Sequence, residues 1–449
     1  MNKKIVKESL QEACWNALAA TVMTLLLYQF FSIEFFRANL EDRAFDLTSW
    51  FALSQEKTDI QAPNLFLLLV DDKYLKKESL LDEYNETTYG YIMPRSYLAD
   101  IIQRVDTLVE DLDTQNYPKA LFLDYDIAYL SDPNNKTPTY DDKLFLEQLK
   151  KDRPYIIYLP MTSNYNIVYR SQDTKIQQLI ASGKLRFVSV GLTIANDDLS
   201  RRYLSYEVYR DKNNTKRKFY NIAVTLWHDY NTTNNSLDGF SLDDNTLIEN
   251  RIIFKNKEKI EQMPLYDVWQ SYWKPFQIFS ASYPLDMIYE DDLQNAVIMI
   301  GAGHSESDDT FEIDDYNREI TGVEMHANAL MTLFFLDGKL QRLYLPYTII
   351  LIFFIIFIVY FSIELLYNSF FFCKIKEIVN SFQSQTLKNF LLWIQPDKSV
   401  VSLFVSMGFL FGCSYILLKE YHCWFNWMVP VMMSIPYMGF IYIKKMILK

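Results

Sequence analysis

The sequence predicts a wound α/β domain carried by four membrane-spanning helices. Three observations predict it. Between residues 64 and 333, short apolar runs that stop at acidic residues alternate with helical patterns. Four long apolar runs lie at residues 17–36, 343–367, 399–418 and 424–443, each sufficient to cross about 30 Å of hydrocarbon as a helix. The lysines outside the central segment fall into groups that share one side of the membrane if all four runs cross it.

Composition narrows the function classes. Half of the 449 residues are apolar and 16% are aromatic, while Gly (11) and Pro (14) are few, which argues against disorder. Of 44 Lys and Arg and 56 Asp and Glu, residues 1–37 and 344–449 hold 12 and 7, so the middle segment carries a net charge of −17. A domain that acidic does not seek phosphate backbones, and nucleic acid is excluded as a partner. Cys14, Cys373, Cys413 and Cys423 all lie in or beside apolar runs, with no zinc-type spacing.

Taken in order, residues 1–16 carry Lys3, Lys4 and Lys7 and read as a cytoplasmic start. Residues 17–36 form the first span, read as an uncleaved anchor because bulky Phe30, Phe31, Phe35 and Phe36 follow where a cleavage site would need small residues. Residues 37–342 form the outer domain. In it Asn39–Trp50 continues as a helix, and Asn64–Val70 is an apolar strand stopped by Asp71 and Asp72, the pattern of a strand covered on both faces. Ser96 is read as the cap of a helix through Val109. Lys119–Leu123 is a second strand ending at Asp124, Tyr140–Lys151 a helix and Pro154–Leu159 a third strand. Phe187–Ile194 reads as a further strand, Asn196–Arg202 as a polar turn, and Ile222–Tyr230 as a helix. Asn231–Asn245 reads as a polar loop, Arg251–Phe254 as a short strand and Ser280–Ile288 as a turn with a short helix. Ala296–Ile300 is a buried strand running into Gly301-Ala302-Gly303, and Gly322–Leu330 starts the helix that leads toward the second span.

Lys374, Lys376, Lys388 and Lys398 lie between spans two and three, and Lys444, Lys445 and Lys449 follow span four. With Lys3, Lys4 and Lys7 they place both termini in the cytoplasm, the acidic domain outside, and Lys419–Cys423 in a short outer turn. Residues 368–398 then form a cytoplasmic segment in which Phe371, Ile375, Ile378, Phe382, Phe390 and Leu391 recur at helical spacing. That is an amphipathic helix of interfacial type, with Phe382, Phe390 and Leu391 the candidates for docking a partner.

Several patches, in order, resemble the CHASE2 domain, an extracytoplasmic sensor module of bacterial signalling proteins. They are Leu40–Thr48 (LEDRAFDLT), Val70-Asp71-Asp72, Met93-Pro94-Arg95, Leu123–Ala128 (LDYDIA), Val190–Arg202, and Ile300–Gly303 with Gly322–Leu330. The resemblance covers nearly the whole chain and implies one span before the domain and three after it, in the bacterial inner membrane. CHASE2 is usually followed by a catalytic output domain. Here the sequence ends soon after the fourth run, so no output domain of its own, and no enzymatic activity, is expected.

The chemistry-bearing residues are few. Gly301-x-Gly303 lacks the third glycine of a dinucleotide site, and Glu306, Asp308 and Asp309 stand where phosphate would sit. Asp71, Asp72, Asp124 and Asp126 stand at the carboxyl ends of strands, where α/β sheets bind ligands; capping of turns is the competing role. Arg95 and Arg202 are candidates to pair with them, and His304, Asp308 and His326 complete the ligand-binding candidates. A metal held by His304, Asp308, Asp309 and His326 is chemically possible. The preferred reading has His326 hydrogen-bonding the Gly301 turn, with no metal and no cofactor. The expected function is a membrane-bound sensor that signals to a separate output or envelope-complex protein, with a homo-oligomer among the partners considered; the alternative is a scaffold subunit of an envelope complex.

Overall fold

The protein is described from a computed structural model. It describes residues 3–28, 44–49, 62–132, 137–162, 166–194, 200–210, 215–231, 276–283, 288–312, 319–342, 345–367, 398–421 and 423–428, apart from single or paired positions inside these ranges. Two compact units divide the chain, Lys57–Leu340 and Met1–Glu56 with Gln341–Lys449.

Helix α1 (Lys3–Tyr28) opens the chain. The unit Lys57–Leu340 then runs β1 (Leu65–Val70), α2 (Asp72–Lys77), α3 (Arg95–Glu110), β2 (Ala120–Asp124), α4 (Tyr140–Leu149) and β3 (Ile156–Pro160). It continues through α5 (Thr174–Ala181), β4 (Leu185–Val188), β5 (Leu192–Ile194), β6 (Ser200–Tyr203), β7 (Tyr206–Arg210), β8 (Lys216–Tyr220) and α6 (Ile222–Asn231). The last part holds β9 (Gln277–Ser280), α7 (Glu290–Leu293), β10 (Val297–Ala302), β11 (Thr310–Glu312), β12 (Glu319–Thr321) and α8 (Gly322–Phe335).

Six strands form one parallel sheet in the order β4-β3-β2-β10-β1-β9. The apolar runs explain it: a parallel sheet is covered on both faces and needs no polar alternation. On one face Phe66, Leu68, Leu121, Ile157, Ile298 and Ile300 pack with Ile101 and Val105 of α3, Phe145 of α4 and Ile176 of α5. On the other Leu65, Leu67, Phe122, Val297 and Met299 pack with Val224 of α6 and Met325 and Leu330 of α8. These side chains are at most 2% exposed, and each such burial contributes about 1.5–3 kcal/mol. The wound α/β fold is therefore as expected, with β10 inserted between β1 and β2.

Some elements differ from expectation. Arg95 is already helical, so Ser96 is not the cap of α3; Pro94 precedes the helix, and its carbonyl accepts from the Tyr97 N–H at 3.1 Å. The single strand expected over Phe187–Ile194 is two, β4 and β5. Ser189 N–H donates to Tyr220 O at 2.8 Å, which draws the chain off the sheet edge toward β8. Ser200–Arg202, expected as a turn, lies in β6 paired with β5. Helix α5 has no counterpart among the expected elements, and the short helix near Ser280–Ile288 is instead α7, after a turn that follows β9. Asn231–Asn245 beyond its first residue, and Arg251–Phe254, lie outside the described residues.

The other unit contains α1, residues of Asn39–Trp50 that are helical at 44–45 and 47–49, β13 (Gln341–Arg342), α9 (Leu345–Tyr367), α10 (Lys398–Tyr421) and β14 (Cys423–Trp424). One helix among the described residues, Pro346–Leu366 within α9, is long and apolar enough to cross a membrane by length and composition. Helix α1 packs against α9, and α9 against α10. Ile350, Phe354 and Ile358 of α9 and Phe404 and Phe409 of α10 are exposed, an apolar surface that water does not favour. Helix α1 covers only the first part of the run at 17–36 and begins well before it; residues 29–36 lie outside the described residues. Helix α10 continues to Tyr421, past the end expected for the third run. The first residues of the fourth run are not helical: Trp424 pairs with Arg342, and buried Phe425–Trp427 follow as irregular chain. The Trp427 ring N–H donates to Thr48 Oγ1 at 2.8 Å, which stabilises that path. Residues 429–443 and the segment with Phe382, Phe390 and Leu391 lie outside the described residues.

Candidate functional site

The carboxyl end of β10 is a topological switch point. The chain leaves β1, β2 and β3 toward α2 and α3, α4 and α5, all on one face of the sheet. It leaves β10 for α8 on the other face. Loops that diverge in this way open a crevice at the strand ends, where α/β sheets hold ligands. Asp71 and Asp72 follow β1 on one side of β10, and Asp124 ends β2 on the other.

Two glycines let α8 reach this place. A Cβ on Gly301 would lie 2.6 Å from Val323 Cβ, so β10 and α8 can touch only with glycine there. A Cβ on Gly322 would overlap the Asp309 carboxylate, which therefore sits against the first turn of α8. The Gly322 N–H donates to the Asp309 carbonyl at 3.0 Å. Thr321 and Glu324 close a capping box, with Glu324 Oε2 accepting from Thr321 N–H at 2.9 Å.

The strand-end residues sort into two kinds. Asp71 caps α2, accepting from Tyr74 N–H at 2.9 Å and from Ser280 Oγ at 2.6 Å. Asp72 accepts from Ser305 N–H at 3.1 Å and its hydroxyl at 3.2 Å, tying β1 to the loop after β10. Asp126 accepts from Ala128 N–H at 2.7 Å and Thr162 Oγ1 at 2.6 Å. Arg95 is buried and donates through Nη2 to the carbonyls of Asp126 and Tyr129, both at 2.8 Å, with Nε 3.8 Å from Asp142. The carboxylate nearest Arg95 is thus Asp142, with the charge of strand-end Asp126 adding to it, and the arginine holds the loop after β2. Arg202 is buried on β6, in the antiparallel pair outside the main sheet. His304 ends the turn after β10, and Asp308 lies outside the described residues.

Asp124, His326 and Asp309 are the second kind. His326, 2% exposed, packs its ring edge-on to Phe122 and brings Nε2 to 3.7 Å from Asp124 Oδ2, beyond hydrogen-bond length. The expected hydrogen bond from His326 to the Gly301 turn is not the contact found; Nδ1 of His326 and Oδ2 of Asp124 are both enclosed without a hydrogen-bond partner. Burial pushes His326 down to about 3, so the ring is neutral. Burial, with the charge of Asp309, pushes Asp124 well above the usual carboxylate range. Burial also lifts Asp309, to about 6, against the opposing effect of the Gly322 N–H. The hydroxyls of Tyr125 and Tyr74 are likewise enclosed and unpartnered, with burial as the first cause of their raised values. Sequence reasoning missed both tyrosines. The one available signal was Tyr125 standing between two strand-end acids. Among the described residues no group of three or more His, Cys, Asp or Glu is placed to hold a metal ion.

A family model described as the CHASE2 domain matches residues 18–363. No curated protein and no solved structure matches the chain.

Proposed function

The chain belongs to the CHASE2 family, whose domains are extracytoplasmic sensors in membrane proteins, and on that premise we propose that it is a multi-pass protein of the bacterial inner membrane that passes the state of its outer domain to a separate protein. One observation carries the reading. Helix α8 begins on the switch-point site and is followed in sequence, within ten residues of its end, by α9, the helix apolar enough to span a membrane. A change at Asp124, Asp309 or His326 is a change at the first turn of that helix. The amphipathic stripe at Phe382, Phe390 and Leu391 supports a cytoplasmic docking surface, since such a helix fits either a headgroup layer or a partner's groove.

Two measurements test this. Reporter fusions at Lys449 and within residues 231–245 should give opposite signals; equal signals would end the topology. Changing Phe382, Phe390 and Leu391 to Ser should abolish recovery of a cross-linked partner while the chain still inserts and folds. A triple variant that recovers every protein the wild type does would reduce the segment to an anchor.

A further inference from the structure

A sensor needs a stimulus, and the cluster at the switch point suits a very small one. Asp124 comes from β2, Asp309 from the loop after β10 and His326 from α8. No direct hydrogen bond answers Asp124 Oδ2 or His326 Nδ1, although both are enclosed and Nε2 of the same ring faces Asp124 at 3.7 Å. A pair of half-buried carboxyls, one with an enclosed oxygen, with an unpartnered neutral imidazole beside them is a place where added hydrogen ions are stabilised and added negative charge is not. The other groups that face it do not supply cations. Tyr125 adjoins Asp124, Tyr74 and Tyr89 are near enough to Tyr125 for their charges to act on it, and Glu324 is engaged in capping Thr321. His304 stands at the end of β10, and Asp72 is held by Ser305.

We propose that Asp124, Asp309 and His326 form a proton-binding site through which the outer domain reads extracytoplasmic acidity. This rests on the sensor reading above. Uptake is simple protonation: a carboxylate oxygen of the Asp124–Asp309 pair gains a proton from water, and one negative charge leaves the site. The mechanical consequence falls on α8. Ionised Asp309 faces the positive end of the helix at Gly322, and its neutralisation weakens that attraction while relieving its repulsion with Asp124.

The signs follow from the burial effects. A carboxyl raised from its ordinary 3.8 to about 6 contributes stability that is full below 3.8 and lost as pH rises through 6. His326, lowered from 6.5 to about 3, works in the other direction, its contribution full above 6.5 and eroded as pH falls toward 3. Two carboxyls against one imidazole leave a net gain on mild acidification.

The test uses the full chain in lipid nanodiscs and infrared difference spectra between about pH 7.5 and about pH 5, a range in which ordinary carboxylates stay largely ionised. The expected result is a protonated-carboxyl band in the wild type that shrinks in Asp309→Asn and shrinks further with Asp124→Asn added, down to the level the ordinary carboxylates supply at about pH 5. The melting temperature of the wild type should rise by several degrees over the same range, more steeply in His326→Gln, and fall in the double variant, where only the imidazole's opposing effect remains. A wild-type band that is absent, or unchanged in the double variant, overturns the proposal; because that band is read on the wild type too, a misfolded variant does not shield it. Cross-linked partner recovery at the two pH values separates the underlying reading. Titration with unchanged partner recovery supports the proton site and overturns the relay.

Discussion

Asp142, which is buried, and Asp124, which has one enclosed carboxylate oxygen, are aspartates of one domain that live in opposite ways. Asp142 accepts from Ser131 N–H and Oγ at 2.9 and 2.8 Å and from Thr139 N–H and Oγ1, both at 2.8 Å, and it lies beside Arg95. Burial alone would raise it, but the N–H and hydroxyl donors of Ser131 and Thr139 hold it below the usual carboxylate range. Asp124 has an enclosed oxygen with no donor, a neutral histidine beyond bonding distance and a second acid as its charged neighbour. The difference teaches that burial alone does not set the outcome: it raises both groups, and at Asp142 hydrogen-bond donors reverse it. A buried carboxylate whose lone pairs are answered is architecture. One whose lone pairs are not answered keeps a capacity to change charge.

The comparison can be broken at either end. The largest effect is expected at the satisfied end. Asp142→Ala leaves buried Arg95 without its adjacent carboxylate and opens the capping box of α4, and it should cost about 3–5 kcal/mol of unfolding free energy in denaturant titration of the full chain. A loss under about 1 kcal/mol would mean that the pair is not the strut described. Gly322→Ala comes next. Its Cβ meets the Asp309 carboxylate, and overpacking of this kind costs about 1–3 kcal/mol, with the loss larger at neutral pH than in acid because the displaced group is then charged. An equal loss at both pH values would detach Asp309 from the comparison. The smallest effect is at the unsatisfied end and has the opposite sign. Asp124→Asn should stabilise by about 1 kcal/mol near neutral pH, since it removes a buried group that must otherwise shed its charge. That gain should fade as pH falls toward 3.8, where the wild-type carboxyl is protonated in both folded and unfolded chains. Destabilisation at neutral pH would show that Asp124 has a partner after all.

How much of this was legible before the structure depends on distance along the chain. The central strands were legible because Leu65–Val70, Ala120–Asp124 and Val297–Ala302 are apolar runs with a sharp polar or glycine end, a signal contained in six residues. Helix α5 was not, since eight residues show only two apolar turns and its Asp173 cap reads equally well as a turn. Arg95 was noticed, but most of its partners were not. The carbonyls of Asp126 and Tyr129 and the carboxylate of Asp142 lie on a later loop and helix, and backbone acceptors leave no mark in sequence. His326 was singled out for the right region and given the wrong contact, because its separation from Asp124 depends on how α8 lies across the sheet. The pairing of Asp124 with Asp309 requires knowing that β10 returns between β1 and β2, and no local pattern states a strand order.

That strand order also dictates a timetable. β1 and β2 do not pair with each other; each pairs with β10, so Leu65 waits for Val297 and Ala120 for the same residue. The centre of the sheet cannot assemble while the chain is emerging from its N-terminal end. Until β10 is delivered, β1 lacks its neighbour on that side and the β2–β3–β4 strands have an open apolar edge. Closure over so long a loop is slow, and the waiting strands are exposed to wrong pairings. The domain therefore matures late in synthesis, when almost all of it has been made, and a chain stalled before residue 297 lacks the strand that joins the two halves of its sheet.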